Sequence, residues 1–160
     1  MATNAVIILG HMTKPGVPEQ IEELLPWFEE RVRVLGVQRA DEACAGECPS
    51  ADFGIVIGGD GTILHAAHNL AETGVPLVGV NMGRLGFLAE FTVAELKEHF
   101  ETILAGKVTP TERMLLDVTV TNGQEPPFQS LAVHDVVIQA GAPFRMLDPS
   151  AEPDGGPTSR

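Results

Sequence analysis

The sequence predicts an α/β fold, an open parallel sheet with flanking helices, followed by the opening strands of an incomplete all-β domain. Two observations carry this expectation. Short apolar runs at Ala5 to Leu9, Phe53 to Ile57 and Pro76 to Val80 are separated by segments whose apolar residues recur at helical spacing. Strands joined through helices imply parallel pairing. The helical period then disappears, and Met114 to Thr121 and Leu131 to Gln139 are rich in valine and threonine, which reads as antiparallel strands. The expected division is residues 1–110 for the α/β domain and 111–160 for the start of the β domain.

In chain order, Ala5 to Leu9 is a buried strand by its continuous apolar run. Ile21, Leu24, Leu25, Phe28, Val32 and Leu35 then recur at helical spacing, with Pro26 kinking that helix or marking its first turn. Ala40 to Ser50 is a loop of small residues, and Phe53 to Ile57 is the next strand. A helix from Ile63 to about Thr73 stops at Gly74, Pro76 to Val80 is a third strand, and Val93 to Ala105 is a helix closed by Gly106. In the last third, Asn122-Gly123 and Pro126-Pro127 supply the turn between the β strands. The proline-rich run from Asp148 to Pro157 is poor strand material and is expected to fray.

Ten basic residues against 22 acidic ones give a net charge of −12, which argues against a nucleic-acid or anionic-membrane surface. No apolar stretch approaches the ~20 residues of a membrane span, and no secretory signal pattern opens the chain, so a cytoplasmic location is expected. Cys44 and Cys48 are spaced C-x3-C without a second pair nearby, which reads as two free thiols rather than a metal half-site.

The run Gly58-Gly59-Asp60-Gly61-Thr62 lies between a strand and a helix and places a carboxylate inside a glycine turn. Glycine lets backbone approach a ligand closely, and a helix N-terminus offers N–H groups to phosphate oxygens. An anionic side chain is a poor phosphate ligand, so Asp60 suits proton abstraction or cation binding. The open alternative is a tight turn with Asp60 or Thr62 as an N-cap. His65 and His68 follow at i and i+3, a spacing able to hold a metal, but no third ligand accompanies them and no protein metal site is expected.

After the next strand comes Asn81-Met82-Gly83-Arg84-Leu85-Gly86-Phe87. The two runs together resemble the NAD kinase family, in which a GGDGT turn is followed by an N-x-G-x-L-G-F loop. The resemblance extends from Ala5 to about Asp154. Phosphofructokinases and diacylglycerol or sphingosine kinases share the first motif and not the second.

The resemblance implies ATP-dependent phosphorylation of the adenosine ribose 2′-hydroxyl of NAD to give NADP, with magnesium or another divalent cation carried in on the ATP phosphates. It assigns proton acceptance to Asp60, whose carboxylate near its reference pKa is ionised at neutral pH. Gly58, Gly59, Gly61 and Thr62 would cradle nucleotide phosphates through backbone N–H groups. His65 falls at a position the family uses near the dinucleotide, or is an ordinary surface histidine. Phe87 resembles the phenylalanine that lies against the substrate nucleoside, or plugs the core beneath its loop. Asn81 and Arg84 shape the loop, with the guanidinium of Arg84 available to a phosphate.

The family's third motif pairs an asparagine with Glu or Asp at a β-domain strand. Here Asp135 matches and His134 departs, presenting an imidazole where an amide is expected. Arg145 falls where the family places a basic or imidazole side chain near the ligand. The family continues into a G-D-G turn and a T-P-T-G-S-T-A-Y segment that have no counterpart here, so the β domain is expected to be incomplete and its exposed edges to favour a homo-oligomer. The alternatives are a non-catalytic nucleotide-binding or partner-binding fragment, and a lipid or sugar kinase sharing the GGDG turn.

Overall fold

The computed structural model describes residues 4–42, 50–83, 86–121, 127–133 and 135–137. The chain divides into two compact units, Met1–Leu115 and Leu116–Arg160.

The first unit is built on a parallel five-stranded sheet of order β2-β1-β3-β4-β5. Its elements run β1 (Ala5–Gly10), α1 (Val17–Glu29), β2 (Arg33–Arg39), β3 (Phe53–Ile57), α2 (Asp60–Leu70), a 3-10 turn (Ala71–Thr73), β4 (Leu77–Asn81), β5 (Phe91–Thr92) and α3 (Val93–Leu104). β1 and β3 are buried along their whole length, because helices cover both faces of a parallel sheet. Alternation of side chains divides their residues between two cores. Val6, Ile8, Phe53, Ile55 and Ile57 pack with Ile21, Leu24 and Phe28 of α1 and Leu96 and Phe100 of α3. Ile7, Leu9 and Val56 face the other way, onto Ile63, Ala66 and Leu70 of α2. Trp27 and Phe28 meet Phe100 with ring centroids 4.8 and 5.6 Å apart, at the α1–α3 contact.

Helix termini follow their sequence signals. Thr92 and Glu95 form a reciprocal capping box at the start of α3. At its end Gly106 N–H donates to the Ile103 carbonyl and Lys107 N–H to the Thr102 carbonyl, with Gly106 at φ 64°, the paired-bond C-terminal cap that glycine favours.

The first expected helix is shorter than its spacing suggested. α1 ends at Glu29, the Arg31 and Val32 N–H groups close the turn onto Phe28, and Leu35 lies in β2 rather than on the helix. Val32 and Leu35 continue a helical spacing, but Val34 and Val37 find partners in β1, where Val6 pairs with Val34 and Ile8 with Val37, and Leu35 falls between them at a shift of register. Pro26 lies inside α1 near its C-terminal end rather than in its first turn. The two strands beyond the expected three, β2 and β5, occupy the two edges of the sheet.

The second unit contains β6 (Leu116–Val120) and β7 (Phe128–Ala132), an antiparallel pair in which Val120 opposes Phe128 and Leu116 opposes Ala132. β7 shares only Leu131 and Ala132 with the expected strand Leu131 to Gln139, because the pairing with Val120 begins at Phe128, directly after Pro127, and the ladder ends where Ala132 meets Leu116. Residues 138–160, including the proline-rich run, lie outside the described residues, as do Cys44 and Cys48.

Candidate functional site

Parallel strands deliver all their following loops to one end of the sheet. In this strand order the connection from β1 leads to one side and that from β3 to the other, so their carboxyl ends form the crevice where open α/β sheets take ligands. The segment 11–16 follows β1, the glycine turn follows β3, and residues 82–90 follow β4.

The three glycines of the turn have different physical reasons. Gly58 donates to the Val80 carbonyl at 2.9 Å and adopts φ 155°. A Cβ there would lie 2.5 Å from Thr62 Oγ1 and 2.8 Å from Thr62 Cβ, so the fold itself demands glycine. A Cβ on Gly59 or Gly61 would meet nothing within 4 Å. Gly59, at φ −97° and ψ −177°, caps α2 without any side-chain bond, and Gly61 is inside the helix, where glycine is a weak former. Packing within the protein explains neither, and both leave backbone open to an incoming group.

Thr62 is fully buried beneath the turn, and its N–H donates to the Gly59 carbonyl at 2.8 Å. The expectation that the Gly58 and Thr62 amides cradle phosphate therefore meets two N–H groups already bonded within the protein, Gly58 to Val80 and Thr62 in the first turn of the helix, and the Thr62 side chain fills the space under Gly58. Lys14 is a residue that motif reading missed. Its Nζ reaches Thr62 Oγ1 at 3.4 Å, bringing a cation from the loop after β1 to the glycine turn. The signal was available in the topology, since Lys14-Pro15-Gly16 follows a strand parallel to β3 and therefore emerges at the same end.

Asp60 opens α2, where a negative charge complements the helix dipole. Its carboxylate is engaged by the loop after β4: Oδ2 accepts from Phe87 N–H at 2.8 Å, and Oδ1 from Leu88 and Ala89 N–H at 3.1 and 3.3 Å. The Phe87 amide, more than burial opposes it and with help from Leu88 and Ala89, holds the carboxyl below the usual aspartate value. The pKa therefore departs from the reference value expected, on the side that keeps the group ionised. The N-cap alternative for Asp60 does not hold, because Gly59 takes that position.

Phe87 is 95% exposed, so it does not plug the core. Asn81 is buried at the end of β4, and its Oδ1 accepts from Gly83 N–H at 2.8 Å, shaping the start of the loop from beneath. His65 and His68 are exposed on α2. Among the described residues no group of three or more His, Cys, Asp or Glu side chains is placed to hold a metal ion. Asp135 is exposed in the second unit. His134, Arg145 and Arg84 lie outside the described residues.

Residues 37–108 match the family model of the ATP-NAD kinase N-terminal domain. The chain is 34% identical over 156 residues to an NAD kinase of Desulforamulus reducens, covering 90% of this chain and 54% of the relative. It is 44% identical over 162 residues to an NAD kinase of Aromatoleum aromaticum, covering 94% and 54%. Among solved structures, yeast NADH kinase complexed with NADH superposes with a TM-score of 0.64 at 20% identity, over 83% of this chain and 47% of that one, a likeness of fold. The chain spans about half the length of the curated relatives it matches. With the GGDGT turn and the N-x-G-x-L-G-F loop placed together at the carboxyl ends of its parallel strands, the chain is similar to the NAD kinases over the half of their length that it spans.

Proposed function

We propose that this chain is an NAD kinase-like phosphotransferase that uses ATP to phosphorylate the adenosine ribose 2′-hydroxyl of NAD, giving NADP. The observation that carries the reading is Asp60, an ionised carboxylate between two glycines open to a ligand, at the carboxyl end of β3 and across from the exposed Phe87. In the reaction the 2′-oxygen forms a bond to the γ-phosphorus while the bond from that phosphorus to the β,γ-bridging oxygen breaks, its electron pair leaving with ADP. The hydroxyl proton passes to Asp60. A carboxylate of lowered pKa is a weak base, which suits a loose phosphoryl-transfer transition state in which the proton moves late.

Backbone at Gly59 and Gly61 and the ammonium of Lys14 support the phosphates. The exposed ring of Phe87 offers apolar contact to a nucleoside. His65 lies one turn further along α2, and family resemblance adds Asn81, His134, Asp135 and Arg145 as ligand contacts. Both carboxylate oxygens of Asp60 are engaged by amides, and on this reading the divalent cation would arrive on the ATP phosphates. Such a cation neutralises charge on the phosphates. Among the described residues no helix is long and apolar enough to cross a membrane, and we place the reaction in the cytoplasm.

The test is NADP formation by the 160-residue protein with NAD, ATP and magnesium, beside Asp60→Asn. NADP is expected to accumulate, and the variant to lose about 10²- to 10⁴-fold in rate. Absence of NADP together with absence of saturable NAD or ATP binding overturns the reading.

A further inference from the structure

We propose that Asp60, besides facing the reacting hydroxyl, is the residue that positions the nucleoside-side loop, and that Gly86 is glycine in order to admit its carboxylate. The identity of the nucleoside rests on the kinase reading above; the positioning role does not.

Three successive amides, of Phe87, Leu88 and Ala89, converge on one carboxylate 27 to 29 residues earlier in the chain. Consecutive backbone N–H groups pointing into one concavity form an anion-binding nest, and here the anion is supplied by the protein itself. The Phe87 ring is 95% exposed and contributes no burial, so packing holds this segment only from Leu88 and Ala89 onward, where Ala89 is buried and Leu88 packs against the core beside α2. The remaining backbone anchors lie at the flanks, where Glu90 N–H donates to the Gly79 carbonyl at 3.2 Å and Asn81 Oδ1 accepts from Gly83. Among the described residues between those flanks, Asp60 is the side chain that accepts from the loop's amides. Gly86 completes the arrangement, since a Cβ at that position would overlap both oxygens and the carboxyl carbon of Asp60. The glycine turn after β3 and the Phe87 segment after β4 are therefore coupled through one side chain.

This coupling changes what a substitution at Asp60 measures. A residue acting only as base would lower kcat and leave NAD affinity alone. A carboxylate that also holds the loop raises KM when it is altered. Asp60→Asn retains one acceptor oxygen but turns an NH2 donor toward a backbone N–H, so one side of the nest is lost. Gly86→Ala leaves the carboxylate chemically intact and displaces it from the amides.

The experiment is amide hydrogen exchange by NMR on the full 160-residue chain without substrate, comparing the unmodified protein with Asp60→Asn, Asp60→Ala and Gly86→Ala. In Asp60→Ala and Gly86→Ala the Phe87, Leu88 and Ala89 amides should exchange about tenfold faster or more, the loss expected for hydrogen bonds to a charged acceptor. In Asp60→Asn at least one of the three should do so. Retained protection of Ile55 and Val56 in β3 establishes that the fold is intact, and unchanged exchange at residues 87–89 in a folded Asp60→Ala protein overturns the proposal. Titration with NAD supplies the second readout. Weaker binding by both Asp60→Asn and Gly86→Ala supports positioning of the nucleoside, whereas full NAD affinity in both refutes it. Absence of NAD binding by the unmodified protein refutes the kinase reading alone, and the exchange data still decide the tether.

Discussion

Replacing Gly58 and Gly61 separately by alanine should move stability in opposite directions. At Gly58 the cost has two parts. Its φ of 155° is a conformation L-residues rarely adopt, and such strain costs about 1 to 3 kcal/mol. The added Cβ would also sit 2.5 to 3.0 Å from three side-chain atoms of Thr62, a residue without room to retreat because it is fully buried. Overpacking of that kind costs about 1 to 3 kcal/mol more. A combined loss of roughly 2 to 6 kcal/mol is a large share of the ~5 to 15 kcal/mol that keeps a domain folded. At Gly61 the Cβ enters open space on a helix, and alanine should stabilise by up to about 1 kcal/mol. Urea unfolding followed by far-ultraviolet circular dichroism measures both. The double variant Gly58→Ala with Thr62→Ala should recover part of the loss, because it removes two of the three clashing atoms and leaves the backbone strain. Equal midpoints for Gly58→Ala and the unmodified protein, or a Gly61→Ala loss as large as that at Gly58, would refute the division of the turn into one glycine required by the fold and two left open to a ligand.

Phe100→Ala removes a fully buried ring that meets both Trp27 and Phe28, and should cost about 3 to 5 kcal/mol in urea unfolding; a loss under half of that would place the α1–α3 contact outside the cooperative core. The lowered pKa of Asp60 means that its amide bonds contribute stability in full above the ordinary value of 3.8 and lose it as pH falls through the lower folded value. The stability gap between the unmodified protein and Asp60→Asn should therefore narrow as pH falls below the ordinary carboxylate range, and a gap that widens on acidification contradicts the hydrogen-bond geometry. Lys14→Met should weaken ATP binding by about tenfold while sparing NAD, since an ammonium beside the glycine turn serves phosphate. Calorimetry showing equal loss for the two ligands removes Lys14 from the phosphate side.

What the sequence determined by itself is whatever rests on local pattern. Continuous apolar runs marked β1 and β3 as strands, Gly74 and Gly106 marked helix ends, and the two glycine motifs carried the resemblance to the NAD kinases. The same locality misled at Val32 and Leu35, where a helical spacing continued into a strand whose identity depends on pairing with β1. Tertiary structure alone decided the rest, because the relevant partners are far apart in the chain. It brought Lys14 to Thr62 across 48 residues, gave Asp60 three amide donors from the loop after β4, and gave Gly86 its reason in a carboxylate 26 positions earlier. It also separated three glycines that look alike in sequence, since backbone angle and the space around a missing Cβ exist only once the strand, the turn and the buried threonine have been folded onto one another.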